Sequence, residues 1–324
     1  MRPFDFVRAR DVDDALALLA KPSAQALAGG TTLVDLMKLG VEAPETVVDI
    51  GGLPFSDIVL DAGQLSIGAL ASNSDVAANA DVLRFAPAVA QAILSGASGQ
   101  IRNAATMGGN LLQRTRCTYF RSDGWSCNKR QPGAGCSALT GINGGHAVLG
   151  VSDACIAAHP SDLAVALVAA DASLRIVGRG GYRIVPVDEF FRLPGTTPHI
   201  ETSLGKGELI VGIVIPATDL NAASRYLKLR GRASYEFASA SVAGSVMFRG
   251  DRIEDVAVCI GGLASKPWRN RVAEIELIGG PLDEASLSRF CDTLLSGAIT
   301  RPANRYKLDL ARGAIERVLG LGAS

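Results

Sequence analysis

Four of the six cysteines fall in one stretch, Cys117, Cys127, Cys136 and Cys155, with nine, eight and eighteen residues between them. Such crowding suits shared ligation, because the thiolate is the form of cysteine that binds metals. The spacing lacks the paired C-x2-C hooks of zinc ribbons and fingers. Disulfides are a further reading, set against by an N-terminus that has charges but no apolar export segment. A four-thiolate iron–sulfur cluster fits best, since loops deliver such ligands at irregular separations. Zinc and disulfides stay open at this level. Arg114, Arg116, Arg121, Lys129 and Arg130 share the stretch, and are expected to offset a cluster's negative charge and lower the thiol pKa values. Tyr119, Phe120 and Trp125 are expected to screen the site from water. Cys259 and Cys291 have apolar neighbours and read as small core residues. His146, His159 and His199 show no ligand spacing.

A second kind of chemistry lies in two glycine-containing loops. Ala28-Gly-Gly-Thr-Thr-Leu-Val-Asp35 sits between a strand-like and a helix-like segment, where backbone N–H groups converge on an anion. Ala97-Ser-Gly-Gln-Ile-Arg-Asn103 leads into Thr106-Met-Gly-Gly-Asn110, with the same mixture of small, hydroxyl and amide residues. Two such loops suit the two phosphates of a dinucleotide. Neither matches G-x-G-x-x-G, so a Rossmann site is not implied. In a chain with 36 glycines, two ordinary tight turns are the competing reading.

The elements that must position these residues read as α+β. Phe4–Val7, Ala24–Leu27 and Thr46–Ile50 are strand-like around helices at Asp11–Leu19 and Leu33–Leu39, a βαβ-type start. Leu65–Leu70 alternates as a strand, and helices follow at Asp75–Ala80 and Ala86–Ser95. Residues 96–150 show little periodicity, and a loop of that length is functional or disordered. Leu163–Ala170 reads as helix, Ser173–Val177 as strand, and Phe190–Lys206 as turn-rich. Past Pro216 come strands at Ser224–Arg230, Ser239–Phe248 and Asp255–Gly261, then helices at Asp283–Ser296 and Asn304–Leu319. With 324 residues, two or three domains are expected, with a boundary near residue 218.

Thirty-two basic residues balance thirty-two acidic ones, so no global field attracts nucleic acid or an anionic membrane. Apolar runs such as Leu163–Ala170 end at charged residues well short of the roughly 20 needed to span a bilayer. A cytoplasmic chain is the expectation. No substrate acid/base pair or nucleophile is evident.

Ala28-Gly-Gly-Thr-Thr, Gln100-Ile-Arg-Asn103, Thr106-Met-Gly-Gly-Asn110, His159-Pro-Ser-Asp162 and Tyr226-Leu-Lys-Leu-Arg230 occur in the order seen in the FAD-binding medium subunits of the molybdenum hydroxylases. That family includes xanthine dehydrogenase, aldehyde oxidase and carbon monoxide dehydrogenase, and the resemblance covers essentially the whole chain. The stretch from Asn110 to Cys136 resembles the cluster-bearing insertion of FAD subunits of periplasmic-type bacterial aldehyde oxidoreductases. The FAD subunit of 4-hydroxybenzoyl-CoA reductase also has such an insertion and competes, as does a stand-alone flavin oxidoreductase. A stapled scaffold without cofactor is the non-enzymatic rival.

The resemblance implies a two-subdomain FAD-binding domain of the vanillyl-alcohol-oxidase (PCMH) type over residues 1–218. An iron–sulfur insertion would occupy about 112–156, and a small antiparallel sheet packed with helices would form residues 219–324. It implies that Ala28, Gly29, Gly30, Thr31, Thr32, Leu33 and Asp35 hold the FAD pyrophosphate, with Thr106, Gly109 and Asn110 as a second clasp. Asp162 would lie near the ribityl or isoalloxazine part, and Lys228 would place positive charge beside the flavin. The bland alternatives are a helix cap for Asp162 and a surface strand lysine for Lys228. Cys117, Cys127, Cys136 and Cys155 would hold the [4Fe–4S] cluster. The implied partners are a small subunit with two [2Fe–2S] clusters, a large molybdopterin subunit and an external electron acceptor. Export to the periplasm would depend on a partner's twin-arginine signal.

Overall fold

The computed structural model describes residues 1–320. Its first unit alternates strand and helix: β1 (Asp5–Arg8), α1 (Val12–Leu19), β2 (Ala24–Leu27), α2 (Leu33–Lys38) and β3 (Thr46–Asp49). The strands form a parallel sheet in the order β1-β3-β2, with Asp5 and Ala24 both opposite Thr46. Asp11 caps α1 by accepting from the Asp14 amide, and Ala15, Leu16 and Leu19 turn inward at helical spacing. The loop from β2 to α2 carries the first glycine pair.

The second unit opens with the hairpin β4 (Ile58–Asp61) and β5 (Gln64–Gly68), then runs through α3 (Asn73–Ala78), α4 (Ala80–Phe85), α5 (Pro87–Ser95), α6 (Gly99–Ala104) and α7 (Met107–Leu111). After the cysteine stretch come α8 (Asp162–Ala169), β6 (Ser173–Gly178), β7 (Gly181–Pro186), α9 (Val187–Phe190) and β8 (Leu209–Pro216). The sheet is five-stranded and antiparallel, in the order β4-β5-β8-β6-β7. β8 is its middle strand, and its run Leu-Ile-Val-Gly-Ile-Val-Ile is what a strand covered on both faces requires.

The last unit comprises α10 (Asp219–Ala222), β9 (Arg225–Leu229), β10 (Ala240–Arg249), β11 (Arg252–Gly261), β12 (Trp268–Arg269), α11 (Arg271–Leu277), α12 (Glu284–Leu294) and α13 (Tyr306–Leu319). Its antiparallel sheet has the order β12-β11-β10-β9. Leu287, Phe290, Leu294, Ala311, Ile315 and Val318 pack the two long helices onto it.

Helix α8 joins these units. Leu163 through Ala169 are all buried, which explains an apolar run with no polar face. It packs against α5 and against β10 and β11. At Gly261 of β11 an added Cβ would stand 2.4 Å from Val165 Cγ2, so that strand must present glycine to the helix. Asp162, at the helix start, is thereby fixed at the wall of the cleft described next.

Two short helices, α6 and α7, stand where the sequence shows no periodicity. Ser98 and Thr106 cap them through the Ile101 and Gly109 amides. The cap, and not an apolar stripe, sets these five- and six-residue turns. Among the described residues no helix is long and apolar enough to cross a membrane.

Candidate functional site

The two glycine loops meet. Gly29 lies so close to the end of α6 that a Cβ there would sit 1.7 Å from the Ala104 carbonyl oxygen. Gly30 has φ of +69°, in the left-handed region where glycine carries no steric cost. Among the described residues, the amides of Gly29, Gly30, Thr31, Thr32 and Leu33 donate to no acceptor in the chain. Thr32 makes no capping bond. These are the unsatisfied donors of a helix start, gathered on one turn.

The second loop contributes differently from expectation. Its amides are committed: Met107 donates to Ala71 O (3.0 Å), Gly108 to Ala69 O (2.8 Å) and Gly109 to Thr106 Oγ1 (3.3 Å). What it can offer is side-chain chemistry. Asn110 Oδ1 accepts from Gln113 Nε2 and Ser161 Oγ, both at 2.8 Å, which turns its NH2 group to the opposite side. The Thr106 hydroxyl hydrogen is likewise free to donate.

Two wells open on either side of this junction, and both are lined by Thr31, Thr32 and Gly109. One, of about 350 Å³, has apolar walls from Leu27, Ile50, Leu70 and Ile210. The other, of about 590 Å³, is polar and reaches Asn110, Asp162 and Lys228. Donors in the middle with a well at each end fit a dinucleotide, whose diphosphate sits between two ring systems. Ala28 and Leu33 line the apolar well.

Asp35 faces the polar well, but its carboxylate is taken by Arg121 (2.7 Å) and Arg116 (3.4 Å), and Arg116 stacks on Phe237 at 4.7 Å. Burial, followed by the charge of Arg121, holds the Arg116 pKa below its ordinary value. Four cations (Arg102, Arg116, Arg121, Lys228) and three carboxylates (Asp35, Asp162, Glu236) line this well, a surplus of one positive charge that suits an anionic ligand.

The bland readings of Asp162 and Lys228 do not hold. Ser161 is the cap of α8, accepting from Ala164 N, and Asp162 is the first helical residue. Lys228 is no surface lysine, since its side chain is only 3% exposed and bonds Asp162 Oδ2 at 2.7 Å and Ser95 O at 3.2 Å. Tyr226 donates to the other carboxylate oxygen at 2.6 Å. Burial first, then the Asp162 charge, raises the Tyr226 pKa well above its usual value, so the phenol keeps its proton. The Lys228 charge is balanced by Asp162, and the surplus positive charge comes from the Arg116 and Arg121 side.

The four cysteines come together beside this well. Cys127 and Cys136 are bridge partners, Cys117 and Cys127 pack around Phe120, and Cys117 and Cys136 pack around Tyr119. Cys117 is within electrostatic reach of Cys127 and Cys155, and Cys155 of Cys136 and Cys127. Asn128 ties three of the segments: its Nδ2 donates to Ala154 O (3.0 Å) and its Oδ1 accepts from Gly135 N (2.8 Å), each next to a cysteine. Arg130 donates at 2.8 Å to the carbonyls of Tyr119 and Phe120.

All six cysteines are free thiols, so the disulfide reading fails here. Among the described residues no three His, Cys, Asp or Glu side chains converge tightly enough for a single metal ion. A four-iron cube spreads its thiolates wider than one zinc ion does, at about 2.3 Å per Zn–S bond. The buried Lys307 ammonium bonds Gly145 O (3.1 Å), beside His146, and Gly262 O (2.7 Å), and among the described residues it has no carboxylate partner.

Other expectations for this loop are corrected. Trp125 is 55% exposed and does not shield it, whereas Tyr119 and Phe120 are buried. Three of the arginines are committed to carboxylates: Arg114 pairs with Glu42 and Glu201, and Arg116 and Arg121 pair with Asp35. Burial pushes the Cys117 thiol up to about 11 and raises Cys155 as well, against a smaller lowering by Lys129 on the latter. Cys259 and Cys291 are buried core residues. Reasoning from sequence passed over His146, whose ring meets Cys117, and Ser161 and Tyr226, which hold Asn110 and Asp162. Nothing in the histidine spacing points to His146, though Ser161 and Tyr226 lie inside recognisable motifs.

Residues 2–218 match the FAD binding domain in molybdopterin dehydrogenase, and residues 225–320 match the CO dehydrogenase flavoprotein C-terminal domain. The chain belongs to the family of FAD-binding medium subunits of the molybdenum hydroxylases. It is 45% identical to the aldehyde oxidoreductase FAD-binding subunit PaoB of Escherichia coli K12 over 98% of both chains. It is 28% identical to the glyceraldehyde dehydrogenase medium chain of Sulfolobus acidocaldarius, over 99% of this chain and 96% of that one. In fold it is similar to the CO dehydrogenase of Oligotropha carboxidovorans, with a TM-score of 0.76 at 22% identity over 98% of this chain and 96% of the other.

Proposed function

We propose that this chain is the electron-relaying subunit of a molybdenum-dependent aldehyde oxidoreductase, and that it holds FAD in the cleft and a [4Fe–4S] cluster on Cys117, Cys127, Cys136 and Cys155. The observation that carries this reading is the junction of the two loops, with five unbonded amides at the centre of a two-welled cleft and four free thiols beside it. The 45% identity to an aldehyde oxidoreductase FAD-binding subunit supports the aldehyde class over 4-hydroxybenzoyl-CoA reductase. Residues 1–218 would form the FAD-binding domain and 219–324 the second domain, with partners bearing [2Fe–2S] clusters and the molybdopterin.

When bound, FAD would supply the redox chemistry that links a [2Fe–2S] partner to an external acceptor. The residues of this chain bind, orient and shield. The amides of Gly29 to Leu33, the Thr31 and Thr32 hydroxyls, Thr106 and the Asn110 NH2 would grip the diphosphate. Gly109 leaves room for the ligand at the junction. Asp35 holds Arg116 and Arg121 at the polar well, where their excess charge favours an electron-rich ligand. Asp162 is held by Lys228 and Tyr226 and orients toward that well with no net charge from the pair.

The test is quantitation of flavin and iron in the anaerobically purified chain. About one flavin and about four irons per chain are expected. A flavin-free, iron-free protein would remove both cofactors. Cys127→Ser should lose iron and keep flavin, and equal retention of iron would take Cys127 out of the ligand set.

A further inference from the structure

His146 was singled out by no spacing rule, yet its Nε2 stands 3.2 Å from Cys117 Sγ. The residue is buried, and its Nδ1 has no hydrogen-bond partner. Its backbone is tightly placed: His146 N donates to Asn143 O at 3.0 Å and Ala147 N to Ile156 O at 2.9 Å. Lys307 of α13 grips the preceding carbonyl, Gly145 O. An imidazole carries at least one N–H in either protonation state. A sulfur bonded to iron has no proton and can only accept, so the hydrogen belongs on Nε2.

Resting on the cluster reading above, we propose that His146 donates a hydrogen bond from Nε2 to the cluster-ligating sulfur of Cys117 and thereby raises the reduction potential of the cluster. A donor draws electron density from the thiolate, which favours the more negative, reduced form. Cys117 is the ligand on the flavin side. The preceding residue, Arg116, lines the polar well, and a cavity of about 240 Å³ is shared by Cys117, His146, Ser161 and Asp162. The donor therefore acts on the edge of the cluster site that faces the cleft. Lys307 is a positioning residue for this bond, because it holds the peptide that carries His146.

The test is an EPR-monitored redox titration of the anaerobically purified full chain as wild type, His146→Phe and His146→Gln, with iron and flavin quantified in each. Loss of the donor in His146→Phe is expected to lower the cluster midpoint by about 59 mV, a tenfold shift in the one-electron equilibrium, with the flavin potential unmoved. His146→Gln, which restores an N–H, should recover most of the shift. Should the bulk of Phe expel iron, His146→Leu carries the same comparison. An unchanged midpoint in an iron-replete Phe or Leu variant would overturn the proposal. So would equal shifts in the Gln and apolar variants, or loss of iron from all of them, which would make His146 a ligand or scaffold residue. Absence of iron from the wild-type chain would instead sink the cluster reading.

Discussion

Replacing Gly29 by alanine drives a methyl group into the carbonyl of Ala104. The new Cβ would stand 1.7 Å from that oxygen, where ordinary contact begins at 3.4 Å. The neighbour is backbone and has no rotamer to yield, so the two loops must part by roughly 1.5 Å. A hydrogen bond of about 2.9 Å stretched that far is no longer one. Bonds to a charged phosphate are worth about 1.5–3 kcal/mol each, and loss of two would cost about 3–6 kcal/mol. Affinity for FAD should fall on the order of 10²–10⁴-fold. The control is Gly99→Ala, at the start of α6, where a Cβ meets nothing within 4 Å. The assay is the flavin-to-protein ratio of each purified chain, then FAD affinity by fluorescence titration after flavin removal. A Gly29→Ala chain that retains full flavin, with a Kd within about threefold of the parent, would show that the junction does not grip the diphosphate.

Three further outcomes are expected. Lys228→Met strands the buried Asp162 carboxylate and should lower the unfolding free energy by about 3–5 kcal/mol in urea titrations; adding Asp162→Asn should recover part, and strict additivity would deny the pair. Asn128→Ala removes two hydrogen bonds that join three cysteine segments, at about 1 kcal/mol each, so iron should be lost faster to chelators while flavin binding stays unchanged. His159 has its pKa lowered to about 4, chiefly by burial, from the ordinary imidazole value of 6.5. The unfolded chain therefore binds more protons between those values, and stability is lost as pH falls through that window, by about 3 kcal/mol at the acid end. A His159→Asn chain, with His146 still titrating, should show a correspondingly shallower acid-side loss in denaturant melts; parallel curves would refute the assignment.

Much of the fold was legible because it rests on local pattern. Helix α1 has its Asp cap and its stripe, and β10 and β11 are long apolar strands. The strand β8 is an unbroken apolar run that was readable in principle, yet its place between β5 and β6 depends on pairing with residues far away in the chain. Helices α6 and α7 escaped because two caps and a few glycines leave no periodic signal. The site divides in the same way. The glycine loops and the cysteines are contiguous words, and their convergence could be anticipated. The pairing of Asp35 with Arg116 and Arg121, more than eighty residues away, is invisible to any local rule. So are the meeting of His146 with Cys117 and the burial of Lys228 against Asp162, because each is created by tertiary packing.

The central position of β8 also dictates timing. β5 ends at Gly68 and β6 begins at Ser173, and the two are joined into one sheet only by Leu209–Pro216, which pairs with both. Leu209 and Ile210 of that strand also wall the apolar well. A nascent chain emerging from the ribosome therefore has its thiols synthesised and accessible well before the cleft has a finished wall. Nucleotide capture becomes a late event of biogenesis, and a chain stalled before residue 209 would present reactive sulfur with no compartment for its other ligand.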